Sequence, residues 1–575
     1  MEGNGNALTA VCRFWRERCR EEKRLGNNID AEYCHIKHPL SLVLTLCKES
    51  KPVQKFIALE EIKARTAVAR LKNCICHDYG PLMRLLFEHA TYLELLGNIA
   101  AAAEKASEAA SLAETCPHTL PHEYVAQLES YQQRKTLEIE ITRQRVERLC
   151  HSDSRLLSPP HTRQILHIPF GSISHSEFIA SYASRGIPVI FTGADQHMLP
   201  CRSILSHPPP PARPWTPPWL LERIGHQTVA PKIFTPHSVL WAKHEDAPSV
   251  PLADILTACF PETLGGTPSR SPVGEEGNPY LVDWSLPLHC EHLLQSSPCT
   301  NKSPPPSPPP CDTESSSSGS TCERKSPDGG GDLALPTPGT VDSFRMPVYF
   351  AHDLLQLCPE GSLYRNTWPS LFVGGAGTRS GLHVDSFGSH FWMLLLEGRK
   401  QWVFFDRQDM CLLHPSYPFS FDPVFPEEAE KLAAAAGALS WEVVLQPGEL
   451  LFVPAGAPHS VRNLDATVAI SGNYVDMSNF DLCEHALRQN SLTCSRSREL
   501  LTSLLRVRED CDTMEFASLG EGEATVSWAD FKSPVTRSKE EHAMGHGACL
   551  SNMSLPGEGV EGGGTKRRRI DEVTL

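Results

Sequence analysis

"GLHVDSFGSHFWMLLLEGRKQW", residues 381–402, decides how this chain reads. Its centre is a short apolar run closed by Gly398, with His383 and Asp385 ahead of it and Lys400 behind. Bounded by turn residues, the run reads as buried strand. Successive side chains of a strand point to opposite faces, so His383 and Asp385 are expected side by side on one face of one strand. "EGRK" makes a tight turn, and the following "KQWVFF" is expected to send Lys400, Trp402 and Phe404 to one face.

Working outward, β character dominates after residue 345. "MPVYF", "PSLFVGG", "WEVVLQPGELLFVP" and "ATVAISGNYVD" read as further strands separated by Gly- and Pro-containing turns, the pattern of a sandwich or barrel. Upstream, "HIPFGSISHSEFIASYASRGIPVIFTG" reads as strand, helix and buried strand, and "WLLERIGHQTVAPKIF" repeats the helix-to-strand order. Residues 1–150 are rich in Leu, Ala and Glu and read as a helical region, scaffold or partner-binding rather than chemical. Its "YLELLGNIAAAAEKASEAASLAE" faintly resembles one tetratricopeptide repeat, too few copies for an array. A Pro/Ser-rich segment (296–332, within an insertion of about 296–340) lacks the apolar residues to fold and is expected to be disordered. A shorter proline tract, 207–218, reads as a second surface excursion. Helices are expected over 486–510 and a disordered tail over 533–575.

The whole-chain properties set limits. A net charge of −15 argues against general nucleic-acid binding, which needs clustered Lys and Arg, but leaves a basic protein substrate open. The 20 cysteines include no CxxC pair, and Cys74, Cys76 and His77 in "NCICHDY" lack the remaining ligands of a zinc site. The first residues have no apolar signal core, and no run reaches the ~20 apolar residues of a membrane helix, so a soluble intracellular protein is expected. "TKRRRIDE", 565–572, has the composition of a nuclear-import signal, which makes the nucleus the expected location and the cytoplasm the alternative. Ser303 and Ser326, each before a proline, are candidate phosphorylation sites.

The chemistry lies in the β region. A third metal-capable residue is His459, after the kink in "PGELLFVPAGAPHSVRN". Two histidines and a carboxylate on neighbouring strands make the facial triad of non-haem Fe(II) oxygenases, with positions left open for a co-substrate and dioxygen. Lys400 on an inward face needs an anion, and the distal carboxylate of 2-oxoglutarate would be one. Ser471 and Asn473 share a strand face from which both can hydrogen-bond a bound acid. Taken singly, each residue has a plain reading: a surface HxD, a histidine after a turn, a solvated hairpin lysine. In this order on successive strands they support one another.

"SGLHVDSFGSHFWMLLLEGRKQWVFF" followed by "PGELLFVPAGAPHSVRNLDATVAISGNYVD" resembles the core of the JmjC-domain Fe(II)/2-oxoglutarate oxygenases. Within them it is most similar to the hydroxylase branch that contains the bifunctional arginine demethylase and lysyl hydroxylase. The likeness covers roughly 165–485, interrupted by the insertion. It implies an α+β fold with a double-stranded β-helix, a cupin-like barrel. It further implies that His383, Asp385 and His459 hold Fe(II) and that Lys400 binds 2-oxoglutarate. Ser380 and Ser471 stand where that branch has hydroxyls near the co-substrate, and Asn473 where it has an asparagine near the metal. Met393 departs from the pattern, because that branch has asparagine there. The implied activity is hydroxylation of a protein side chain, lysine first, with N-methyl demethylation of a histone or other protein as the alternative. A non-catalytic binding module, acting through the N-terminal helices, is the reading from another class.

Overall fold

Gly398 does not close a hairpin; it carries the chain from one sheet to the other. The strands on either side, His390–Glu397 and Lys400–Phe405, lie in different sheets. Gly398 has a φ of +74°, and a Cβ there would fall 2.1 Å from the carbonyl oxygen of Ala466, so only glycine fits. The plain reading of Lys400 as a solvated hairpin residue fails for this reason.

The computed structural model describes residues 51–72, 79–115, 122–150, 162–199, 215–236, 238–265, 280–295, 344–511, 514–515, 524–532 and 537–538. Cys74, Cys76 and His77, most of the 207–218 tract, the 296–340 insertion with Ser303 and Ser326, and the 565–572 basic run lie outside these residues. Among the described residues no helix is long and apolar enough to cross a membrane.

Fourteen strands build two sheets. In chain order they are β1 (Thr162–Gln164), β2 (Leu166–Pro169), β3 (Val189–Thr192), β4 (Lys232–Phe234), β5 (His244–Asp246), β6 (Tyr280–Ser285) and β7 (Ser370–Gly374). Then follow β8 (Arg379–His383), β9 (His390–Glu397), β10 (Lys400–Phe405), β11 (Ser440–Leu445), β12 (Leu450–Val453), β13 (His459–Asn463) and β14 (Thr467–Tyr474). One sheet runs β1-β11-β10-β13-β8, and the other runs β2-β3-β12-β9-β14-β7-β6-β4-β5. Their inner faces share a core: Phe391, Met393 and Leu395 of β9 and Leu451 and Val453 of β12 meet Trp402 and Phe404 of β10 and Val461 of β13. The architecture is the expected cupin-like double sheet, two stacked sheets rather than one closed ring.

β9 reads as an unbroken apolar run because both of its faces are covered. Its other face sends Trp392 and Leu394 into an outer aromatic core with Phe178, Phe191, Tyr349, Phe350 and Phe452. "MPVYF" supplies that core by leaving the strand: only Arg345–Pro347 is extended, and Val348–Phe350 form a 3-10 turn. Tyr349 stacks on Phe191 at 4.4 Å as a result.

Among the described residues four helices precede the sheets: α1 (Lys51–Lys72), α2 (Gly80–Leu95), α3 (Ile99–Thr115) and α4 (His122–Cys150). Helix α4 docks along the segment between β10 and β11. Arg134 donates to the carbonyl of Tyr417 at 2.6 Å, Glu138 accepts the Tyr417 N–H at 2.7 Å, and Ile141 packs in a cluster with Leu382, Phe405 and Leu412. Lys135 is fully buried between Glu94 and Glu138. After β14 come α5 (Phe480–Asn490), which starts ahead of the expected 486, and α6 (Ser495–Cys511). Both pack against Trp368 and Phe387.

Glu138 links Lys135 to the Tyr417 backbone, so Glu138→Ala strands one buried amide and leaves a buried cation with Glu94 alone. The expected loss is about 3 kcal/mol, seen as a lower urea midpoint at unchanged slope. A loss below about 0.5 kcal/mol would mean the docking is held elsewhere.

Candidate metal centre and anion cradle

The antiparallel pairing of β8 with β13 contains one extra residue. Ser380 lies opposite Val461 but His383 lies opposite His459, so β8 spends three residues where β13 spends two. Three residues apart on a regular strand, Ser380 and His383 would face opposite ways; the bulge turns both toward the inner core. The strand ends at His383. Asp385 is not on it, contrary to the sequence expectation, and instead precedes a 3-10 turn, Ser386–Gly388. Two residues of extended chain still deliver its carboxylate to the same place: one ligand atom each from His383, Asp385 and His459 lies within 4.8 Å of the others.

Both imidazoles are pre-set. Nδ1 of His383 lies 2.7 Å from the carbonyl of Gly381, and Nδ1 of His459 lies 3.0 Å from that of Ala457. A carbonyl oxygen only accepts, so Nδ1 is the protonated nitrogen in each ring and Nε2 keeps its lone pair free. Burial first, then the nearby His459, holds His383 well below the ordinary histidine range, and burial brings His459 down to about 4. Burial, with the charge of Asp283 second, pushes the Asp385 carboxyl up to about 7. Asp385 Oδ2 is buried with no hydrogen-bond partner among the described residues. Two neutral nitrogens with free lone pairs beside an orphaned carboxylate are a donor set that a divalent cation satisfies. The turn that leads into His459 is tied to His390, whose Nδ1 accepts the Ala455 N–H at 2.9 Å and whose Nε2 lies 3.0 Å from Ser478 Oγ.

Lys400 sits four residues from the Phe404–His459 pair, about 13 Å along the strand. It is completely buried, and its Nζ donates to Tyr280 Oη at 2.8 Å and to Asn463 Oδ1 at 2.7 Å. Asn463 in turn donates to Thr378 Oγ1 at 2.7 Å. Both oxygens around the amine are neutral, and burial brings Lys400 down to about 7. Gly374 keeps this cradle open: a Cβ there would fall 2.6 to 2.7 Å from Asn463 Nδ2, Thr378 Oγ1 and Tyr280 Cδ2. Nearby, Ser471 Oγ, Thr467 Oγ1 and Trp402 Nε1 are buried without partners among the described residues. Ser471 lies opposite Met393, which fills the inner face with an apolar side chain. Asn473 turns elsewhere, donating to Ser389 Oγ at 2.9 Å.

Sequence reading passed over Tyr280, Thr378, Asn463 and Trp241. Asn463 had a signal, since it sits four residues after His459 and so on the same strand face. Tyr280 had none, lying 120 residues before Lys400. Trp241 reaches the cluster from the segment before β5: its ring meets His383 edge-on at 4.6 Å and its Nε1 donates to the carbonyl of Val384 at 3.2 Å.

An inner face with two histidines and an aspartate at one end and a buried lysine at the other defines a metal-capable cupin-like domain. Residues 339–480 match the family described as a cupin-like domain. The chain is 31% identical over 158 residues to the 2-oxoglutarate and iron-dependent oxygenase JMJD4 of Mus musculus, covering 26% of this chain and 35% of that protein. It is 29% identical over 148 residues to the arginine-specific demethylase JMJ20 of Arabidopsis thaliana, covering 25% and 30%. With the lysine-specific demethylase JMJ21 of the same plant the figure is 27% over 241 residues, covering 39% and 24%. The chain spans about a third of the length of these relatives, or less. The resemblance to the JmjC-domain oxygenases read from the motifs is borne out by these matches.

The buried lysine makes a pH prediction. In the folded chain Lys400 gives up its proton near 7, and in the unfolded chain near 10.5. Between those values the unfolded state holds the extra proton, so stability from this group rises as pH rises through that window. Melting temperatures from pH 7 to 10 are therefore expected to climb more steeply in the ligand-free protein than in Lys400→Met. Parallel curves would show that the amine is not buried uncompensated.

Proposed function

We propose that this protein is an Fe(II)- and 2-oxoglutarate-dependent dioxygenase that hydroxylates a protein side chain, lysine first. One observation carries the reading: three converged metal-capable atoms and a buried lysine met only by neutral oxygens among the described residues share one inner face. His383, Asp385 and His459 are the residues that would hold the iron. Lys400 would take the far carboxylate of 2-oxoglutarate, regaining its proton as it gains an anion, with Tyr280, Asn463 and Thr378 fixing its direction. The hydroxyls of Ser471 and Ser380 face the same interior and would complete the polar lining. When bound, iron with 2-oxoglutarate and dioxygen supplies oxidative decarboxylation to succinate and CO2, coupled to insertion of one oxygen atom into a substrate C–H bond. The chain's own work is to keep the interior dry and the imidazoles oriented. Phe404 and Trp402 flank His459, each with its ring centre 5.7 Å away.

The same chemistry on an N-methyl carbon releases formaldehyde, and the names of the Arabidopsis relatives keep demethylation as the second reading. A non-catalytic barrel has no use for an amine buried at this cost. Nuclear location stays part of the proposal on the strength of the 565–572 basic run alone.

Purified protein loaded anaerobically with Fe(II) is expected to form succinate from 2-oxoglutarate without added substrate. His383→Ala should abolish both succinate formation and retention of the metal. Lys400→Met should weaken 2-oxoglutarate by at least about thirtyfold while the metal still binds, because a buried charge pair is worth about 2 kcal/mol or more. Wild-type protein that retains no iron and forms no succinate would remove the oxygenase reading.

A further inference from the structure

Seven non-glycine residues among those described take positive φ, and five of them, Ala242, Lys243, Asp283, Tyr364 and Phe387, lie on segments around the ligand cluster. Such backbones cost about 1–3 kcal/mol each and persist where the surroundings enforce them. Ala242 and Lys243 directly follow Trp241, whose ring meets His383. Phe387 is two residues past Asp385. Tyr364 stacks on Phe387 at 5.1 Å and on Trp368 at 5.3 Å. Trp368 Nε1 donates to Asp283 Oδ1 at 3.0 Å. A line of three rings thus runs from the turn after Asp385 to the carboxylate of Asp283.

Asp283 breaks the pattern of its own strand. It is the single exposed position of β6, whose other five residues are buried, although burial around its carboxyl still holds it above the ordinary carboxylate range. The register against β7 shifts at this point, between Leu371 and Val373, and Asp283 takes a φ of +54°. The bulge lifts one acidic side chain out of the ladder, and the Trp368 indole fixes its direction. Among the described residues no basic side chain forms an ion pair with it.

We propose that Asp283 is the specificity-determining residue for the substrate, its carboxylate receiving the cationic head of a lysine or arginine side chain, with the stacked rings of Phe387, Tyr364 and Trp368 holding that carboxylate in place. The inference rests on the oxygenase reading above and deepens it by naming the residue that selects a cationic side chain. A carboxylate held by a neutral N–H supplies the charge that neutral rings lack.

The test measures binding separately from turnover. Pools of heptapeptides with a central lysine, norleucine or glutamate and randomised flanks are titrated onto protein loaded with Mn(II) and a non-reactive 2-oxoglutarate analogue. Wild-type protein is expected to prefer the lysine pool over the norleucine pool by at least about tenfold, the factor of one charge-assisted hydrogen bond. Asp283→Asn should erase that preference at an unchanged melting temperature, because asparagine tolerates positive φ and still accepts from Trp368. Asp283→Lys should turn the preference toward the glutamate pool; if that variant does not fold, the Asn comparison decides alone. No lysine preference in the wild type, or an undiminished one in Asp283→Asn, overturns the proposal. Succinate formation, measured in parallel, judges the oxygenase reading by itself: turnover without lysine preference sinks only the role of Asp283, and lysine preference without turnover sinks only the chemistry.

Discussion

The register between β10 and β13 is the constraint on which the site depends. It sets Lys400 against Asn463, Trp402 against Val461 and Phe404 against His459. Because side chains alternate with a period of two, a slip of one residue would expel His459 and Asn463 from the interior together. One ladder therefore places the metal-capable end and the anion-capable end at a fixed separation. The extra residue in β8 extends that register to His383, and the short extended link beyond the strand brings in Asp385. What holds the ladder in place is apolar packing on both sides. Trp402 and Phe404 stack within the inner core, while Phe405 and Leu382 lean outward on Ile141 of α4.

The interior so formed is costly when empty of ligand. Among the described residues Asp385 Oδ2, Thr467 Oγ1, Ser471 Oγ and Trp402 Nε1 have no partners, and buried polar atoms in that condition cost about 1–3 kcal/mol each. Lys400 gives up part of its basicity for the same reason. Stability has to come from elsewhere, and the outer aromatic core behind β9 and β12 is the obvious source, with Phe178, Phe191, Tyr349, Phe350 and Phe452 in mutual ring contact. Occupation by a cation and a dicarboxylate would satisfy the orphaned groups, so binding and stability are coupled by mass action.

What the sequence revealed followed the period of a strand. Lys400, Trp402 and Phe404 could be placed on one face because nothing interrupts their alternation, and the same alternation from His459 reaches Asn463. Legibility stopped where alternation broke. The bulge in β8 and the end of that strand at His383 leave no trace in residue types, so Asp385 was assigned to a strand it does not occupy. Gly398 signals a turn, but a turn within a sheet and a turn between sheets look alike until Ala466 is seen against it. Tyr280 and Asp283 lie on a strand separated from the motif by the Ser/Pro-rich insertion, and only the fold makes them neighbours of Lys400 and Trp368. The positive φ of Asp283 is a property of a strand mismatch, not of aspartate.

The N-terminal helices and the site are not independent parts. Helix α4 spends its charges inward: Lys135 on Glu94 and Glu138, Glu138 on the Tyr417 backbone, Arg134 on the carbonyls of Tyr417 and Pro418. Those groups are not free for a partner. Further along, Arg145 lies 2.7 Å from His414 Nδ1, and Arg148 donates to the carbonyl of Gln408 at 2.8 Å. Each contact fixes the segment that leaves β10, and Ile141 covers Leu382, the residue immediately before His383. A helix that presses on the back of the strand presenting His383 acts first as its brace. Loosening it would be felt at His383 before it was felt at any surface, which makes the helical region part of the site's rigidity whatever else it contacts.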